Sequence, residues 1–186
     1  MSPPPPLKDE PTFHFRFSDL VMTRVRRALR AGFEELAPEL GTRRLSEVTL
    51  DGGGSANTIG QFKPDTAFIL VGVSLTTGAN RAPGDLKVSW KWHSSMRFSQ
   101  STPLQREYKQ ALAQVNFYMD QHNARHGFIL TNVEFVAFKR LDRNGRLAVA
   151  TPITWTSGGA GRLSVLLGLW YLGTLAAEDD NWTLNN

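Results

Sequence analysis

Two carboxylates and an ammonium group stand at a spacing that suits metal chemistry: Pro64-Asp65, then nineteen residues, then Asp85-Leu86-Lys87. If neighbouring strands carry Asp65 and Asp85, their like charges repel unless a cation sits between them, and Mg²⁺ is a hard ion that selects oxygen ligands. A divalent ion so held polarises a phosphate and acidifies a water, while a nearby lysine orients that water or neutralises developing charge. The chemistry implied is phosphodiester hydrolysis without a covalent intermediate. An Asp and a D-x-K tripeptide also meet by chance in many chains, Asp65 as a strand entry and Asp85 as a residue of the Pro83-Gly84 turn, so the surrounding elements must supply the case.

The chain has 186 residues with 21 basic and 17 acidic side chains, a formal charge of +4, which suits a polyanionic partner without demanding one. It contains no cysteine, so disulfide frameworks and cysteine zinc sites are excluded and a reducing compartment is the natural reading. Met1 to Pro6 is a proline run rather than a charged stretch followed by an apolar one. No secretory signal is expected, and the location implied is intracellular, nuclear or cytoplasmic. The expected organisation is a disordered proline-rich tail over residues 1–12 and a single domain over 13–186.

Residues 17–36 place Leu20, Val21, Val25, Leu29, Phe33 and Leu36 on one stripe with Arg24, Arg26, Arg27 and Arg30 between them, which predicts an amphipathic helix. Short strands are predicted at 45–50 and 62–73. Over 85–92 strict alternation predicts a strand with Asp85, Lys87, Ser89 and Lys91 on one face, and Leu86, Val88, Trp90 and Trp92 turned into a core. A second helix spans 103–124 with Tyr108, Leu112, Val115 and Met119 buried. Residues 127–141 read as a hairpin turning at Thr131-Asn132, followed by a strand at 147–150. The apolar stretch 163–177 is too short for a span of roughly twenty residues, so a buried helix is expected and no membrane anchor.

This order, one helix, three strands, a helix and two strands, predicts a mixed α/β sheet with helices on its faces. With the Pro64-Asp65 and Asp85-Leu86-Lys87 motifs on the second and third strands, residues 17–141 resemble the PD-(D/E)XK, or restriction-endonuclease-like, nuclease superfamily. Its RecB-type branch is resembled further by Gln114-Val-Asn-Phe-Tyr118 on the second helix and by Gly127-Phe-Ile-Leu-Thr-Asn after it. A weaker likeness, in the Trp-Lys-Trp extension of the third strand, is to uncharacterised fungal members.

The resemblance implies an αβββαβ core with an added C-terminal hairpin and helix. It also implies a metal-dependent nuclease acting most naturally on DNA. Asp65, Asp85 and the Leu86 carbonyl would bind Mg²⁺ or Mn²⁺, with Glu35 of the first helix completing the shell. Lys87 would position the attacking water, and Gln114 and Tyr118 would contact phosphate or orient the lysine. Lys63, Lys91, Arg24 and Arg27 would hold neighbouring phosphates. Asp85 stands where Glu is commoner in the family, a shorter reach to the metal. Many related nucleases cut as dimers, so a homodimer is a further expectation.

Two alternatives accompany this reading: a catalytically silent nuclease-like fold serving as a nucleic-acid or protein interaction module, and an effector or toxin-type domain docking through its apolar C-terminal helix. Retention of both carboxylates and the lysine favours activity. His122 and His126 have the i, i+4 spacing of a zinc pair but no third ligand and a helix ending between them. Asp51-Gly52-Gly53-Gly54 lacks the Gly-Lys-Ser/Thr of a phosphate loop, and no G-x-S-x-G elbow is present.

Overall fold

The computed structural model describes residues 7–184. Its first element starts earlier than the sequence pattern predicts. Asp9 caps helix α1 (Glu10–Arg16) by accepting a hydrogen bond from the Thr12 N–H at 2.8 Å, with Pro11 in the first turn where no amide partner is needed. The backbone continues through a wider π-helical stretch, Phe17–Met22, into α2 (Thr23–Leu36). The widening has a cause in the sequence. Phe13, Phe17, Val21, Val25, Leu29 and Phe33 are all buried and recur every four residues. In an unbroken α-helix each such step drifts by roughly 40°, and a stretch with more residues per turn winds the stripe back onto the core. Leu20, expected in that stripe, is exposed. The expected tail is corrected in its second half, because Leu7 packs against the core and residues 10–12 are helical; residues 1–6 lie outside the described residues.

A single turn, α3 (Leu40–Arg43), leads into a seven-stranded mixed sheet. Strands β1 (Val48–Gly52), β2 (Thr66–Leu70) and β3 (Gly84–Lys87) form an antiparallel meander. Helix α4 (Thr102–Gln121) then crosses over to β4 (His126–Thr131), which runs parallel to β3 with Asp85 beside Ile129 and Lys87 beside Thr131. The predicted hairpin partner, β5 (Glu134–Arg140), returns antiparallel and pairs with both β6 (Leu147–Val149) and β7 (Ile153–Thr154). The third strand is shorter than its alternation suggests. After Lys87 the chain turns, the amides of Lys91 and Trp92 both bonding the Val88 carbonyl, so that Trp90 is 53% exposed while Leu86, Val88 and Trp92 are buried as expected.

Helices cover both faces of the sheet. On one, α1, the π-helical stretch, α2 and the last helix, α5 (Val165–Ala177), enclose a core with Leu86, Phe128, Leu130 and Phe135. On the other, α4 packs Tyr108, Val115 and Met119 against Ile129, Val136, Phe138 and Trp92. Asp85 and Lys87 alternate with Leu86 and therefore belong to the α4 face. Among the described residues no helix is long and apolar enough to cross a membrane.

Candidate active site

The two carboxylates meet because β2 and β3 pair there. Thr66 stands opposite Gly84 in the antiparallel register, and one step further along it Asp65 comes opposite Asp85. Gly84 permits the close approach: a Cβ at that position would lie 2.1 Å from the Phe128 ring and 2.4 Å from the Thr66 hydroxyl. Pro64 is held from the other side, since the Gly53 N–H donates to the Asp65 carbonyl at 2.9 Å and a Cβ on Gly53 would fall 1.7 Å from the Pro64 oxygen. The Gly52-Gly53-Gly54 run is thus a backbone seat for Pro64-Asp65, not a phosphate cradle.

Asp65 Oδ2 accepts a hydrogen bond from the Leu86 N–H at 2.8 Å, which fixes its carboxylate across the D-x-K tripeptide. Asp85 has a side chain only 2% exposed, and its Oδ2 lies 2.8 Å from Lys87 Nζ. That contact is an ion pair without hydrogen-bond alignment, so the buried Oδ2 has no hydrogen-bond partner. Burial pushes the Asp85 carboxyl up to about 7, opposed by the Lys87 charge and reinforced by Asp65. Burial alone would lower Lys87, but the charges of Asp85, Asp65 and Glu10 outweigh it and raise its pKa, so Lys87 is an ammonium ion at neutral pH.

A cavity of about 230 Å³ opens beside Lys87, lined among others by Gln114, Lys91, Glu10 and Glu107. Gln114 therefore reaches the site. Its Nε2 donates to the Tyr118 hydroxyl at 3.0 Å, and Tyr118, itself buried, sits behind Gln114 rather than in the cavity. Lys91 pairs with Glu10 of α1, which ties the turn after β3 to the first helix and offsets its charge. Lys63 is exposed two positions before Asp65.

Three expected residues lie elsewhere. Glu35 is exposed near the C-terminal end of α2, on the order of 30 Å along the helix from α1 at 1.5 Å per residue, and cannot join Asp65 and Asp85. Arg24 lines a groove against Trp170 of α5, and Arg27 one against Thr49 of β1, neither containing a site residue. The arginine between them, Arg26, is structural, pairing with Asp51 at 2.6 Å.

The first helix instead contributes a residue that the sequence pattern left unread. His14 Nε2 lies 3.4 Å from the Leu86 carbonyl oxygen and 3.9 Å from Asp65 Oδ2. The signal was Asp9-Glu10-Pro11, a helix start that puts Glu10 and His14 one turn apart on the same face. His122 and His126 form no pair: His122 accepts the Asn80 N–H at 3.2 Å, while His126 is buried at the start of β4.

The donor set fits a divalent ion in part. Asp85 Oδ2, buried and paired with the Lys87 charge without an aligned hydrogen bond, and the Leu86 carbonyl with Asp65 and His14 around it are hard and borderline ligands of the right chemistry. Among the described residues, no three acidic or imidazole groups are already drawn together as a metal cluster. No protein-family model matches the chain, and no curated protein matches its sequence significantly.

Proposed function

We propose that this chain is a metal-dependent nuclease of restriction-endonuclease-like architecture, hydrolysing phosphodiester bonds with DNA as the expected substrate. The observation that carries the reading is the meeting of Asp65 and Asp85 across β2 and β3, with Lys87 Nζ 2.8 Å from Asp85. The three-strand meander, crossover helix and parallel fourth strand support it, being the order expected of an αβββαβ core.

Asp65, Asp85 and the Leu86 carbonyl would hold Mg²⁺ or Mn²⁺, with His14 beside them. Such an ion, when bound, supplies Lewis acidity to the phosphate and lowers the pKa of a water. Lys87 stays protonated and so donates hydrogen bonds, neutralising charge that develops on the phosphoryl oxygens as the water oxygen bonds to phosphorus and the ester oxygen leaves. Already protonated, it is not the base: the attacking water gives its proton to bulk water, and the departing ester oxygen takes one up from solvent. Gln114 offers an amide to the phosphate from the α4 side, Tyr118 orients that amide, and Lys63 adds positive charge at the approach, where the charge of Lys91 is offset by Glu10. An intracellular setting, nuclear or cytoplasmic, follows from the same reading, and cutting both strands of a duplex would call for two copies.

One observation favours a second reading, a silent nuclease-like fold used as an interaction module: Asp65 Oδ2 is already occupied by the Leu86 amide. Incubation of the protein with linear, circular and single-stranded DNA and with RNA, in Mg²⁺, Mn²⁺ or chelator, separates the two. Metal-dependent cutting abolished by Asp85→Ala and by Lys87→Ala is the expected result. Salt-sensitive binding with no cutting under any metal supports the module instead.

A further inference from the structure

A cleft of about 740 Å³ lies on the opposite sheet face from Asp85 and Lys87, between β5, β6, β7 and α5. Its walls are mainly apolar, with Phe135, Leu172 and Tyr171 among them, yet the charged side chains that reach it are all basic: Lys139 and Arg162, with His126 beside them. No aspartate or glutamate lines it. Lys139 and His126 stand directly opposite each other in the β4–β5 register, so both side chains point to this face. Among the described residues neither Lys139 nor Arg162 forms an ion pair, and the His126 ring, 6% exposed, keeps a buried Nδ1 without a hydrogen-bond partner.

A half-open apolar cleft with unneutralised cations and an unsatisfied imidazole is the complement of a small molecule with an apolar body and one anionic end. We propose that this cleft is a binding site for an amphipathic monocarboxylate, its chain lying along Phe135, Tyr171 and Leu172 and its carboxylate meeting Lys139 and Arg162 beside His126. The charge selects the ligand's end, and the apolar walls supply most of the affinity. Arg162 reaches the cleft from the loop that precedes α5, a different element from the strand β5 that carries Lys139, so the two cations approach a ligand from separate walls. The site shares no residue with Asp65, Asp85 or Lys87, so it stands whether or not the nuclease reading does.

Calorimetric titration of the full chain with sodium decanoate, below its micelle concentration, tests the assignment. Saturable one-to-one binding is expected, at least about tenfold weaker for decanol, which keeps the chain and lacks the charge, and undetectable for acetate, which keeps only the charge. The double variant Lys139→Glu, Arg162→Glu sits on the surface and should weaken decanoate binding by at least about tenfold with an unchanged circular dichroism spectrum. Ala148→Trp, which fills the cleft from β6, should abolish it. No saturable heat with the wild-type chain overturns the proposal; so does equal binding of decanol, or binding that survives both variants.

Discussion

Asp65 Oδ2 accepts the Leu86 backbone N–H at 2.8 Å, so a carboxylate from the entry of β2 is fastened to the middle residue of the Asp85-Leu86-Lys87 tripeptide on β3. This bond closes the strand pair beyond its last ladder position, Thr66 with Gly84. It also gives Asp65 two separable jobs, as a hydrogen-bond acceptor and as a negative charge.

Those jobs part company in two variants. Asp65→Asn keeps an oxygen for the Leu86 amide and should retain wild-type stability while losing metal-dependent cutting. Asp65→Ala leaves that amide unpaired and should lose about 1–3 kcal/mol in urea unfolding as well as activity. Equal stability of the two variants would show that the bond contributes nothing.

Metal affinity should depend on pH through Asp85. Its carboxyl is pushed up to about 7, so at pH 6 an incoming Mn²⁺ must displace a proton and at pH 8 it need not. Calorimetry should show Mn²⁺ binding weakening as pH falls below about 7, with proton release that is greatest on the acid side and absent in Asp85→Asn. The sign for folding is opposite. A carboxyl whose folded pKa is raised above 3.8 stabilises the fold below about pH 4 and loses that contribution as pH rises through 7, so Asp85→Asn should be more stable than wild type at pH 8.

His14 is expected to matter for metal choice. Its Nε2 faces the Leu86 carbonyl and Asp65, and imidazole favours Mn²⁺ over Mg²⁺ as a partner. His14→Ala should therefore weaken Mn²⁺ binding several-fold and leave Mg²⁺ binding nearly unchanged, a difference that a paired titration reads directly.

Gly53→Ala is a test of the seat beneath Pro64. The added methyl would fall 1.7 Å from the Pro64 carbonyl oxygen, a contact that only a backbone shift can relieve. A loss of about 3 kcal/mol in stability is expected, with activity falling even where the protein remains folded, because Asp65 moves with Pro64. Gly52→Ala, with open space around its added carbon, is the control and should be close to neutral.

Acid stability should carry the mark of His126. Burial, with Lys139 and Arg125 nearby, lowers its pKa to about 4. Below about pH 6.5 the unfolded chain takes up a proton that the folded chain refuses, so stability declines as pH falls from about 6.5 to 4, by about 3 kcal/mol in all. The difference in unfolding free energy between wild type and His126→Gln, followed from pH 7 to pH 4, should change by that amount in favour of the variant.

Much of the architecture is legible in the chain as written. The four-residue stripe from Val21 to Phe33, the alternation that sets Asp85 and Lys87 against Leu86 and Val88, the Tyr108-Val115-Met119 stripe and the hairpin at Thr131-Asn132 are local periodicities, and local periodicity survives folding because each face must find its own layer. The errors fall where a long-range contact overrides the local pattern. Trp90 fits the strand alternation but swings outward because the Val88 carbonyl captures the next two amides. Glu35 and the arginines sit on α2, but the part of the continuous helical run that meets β3 is its beginning, α1, where Glu10 and His14 lie.

Residue type and spacing were enough to nominate Asp65, Asp85 and Lys87, since an alternating strand must put Asp85 and Lys87 on one side whatever surrounds them. Distance between elements is another matter. Which end of a helical run roughly 40 Å long lies beside β3, how deeply Asp85 is desolvated and which cations are left unpaired around His126 depend on how layers pack, and packing sums over contacts remote in sequence that no local pattern encodes.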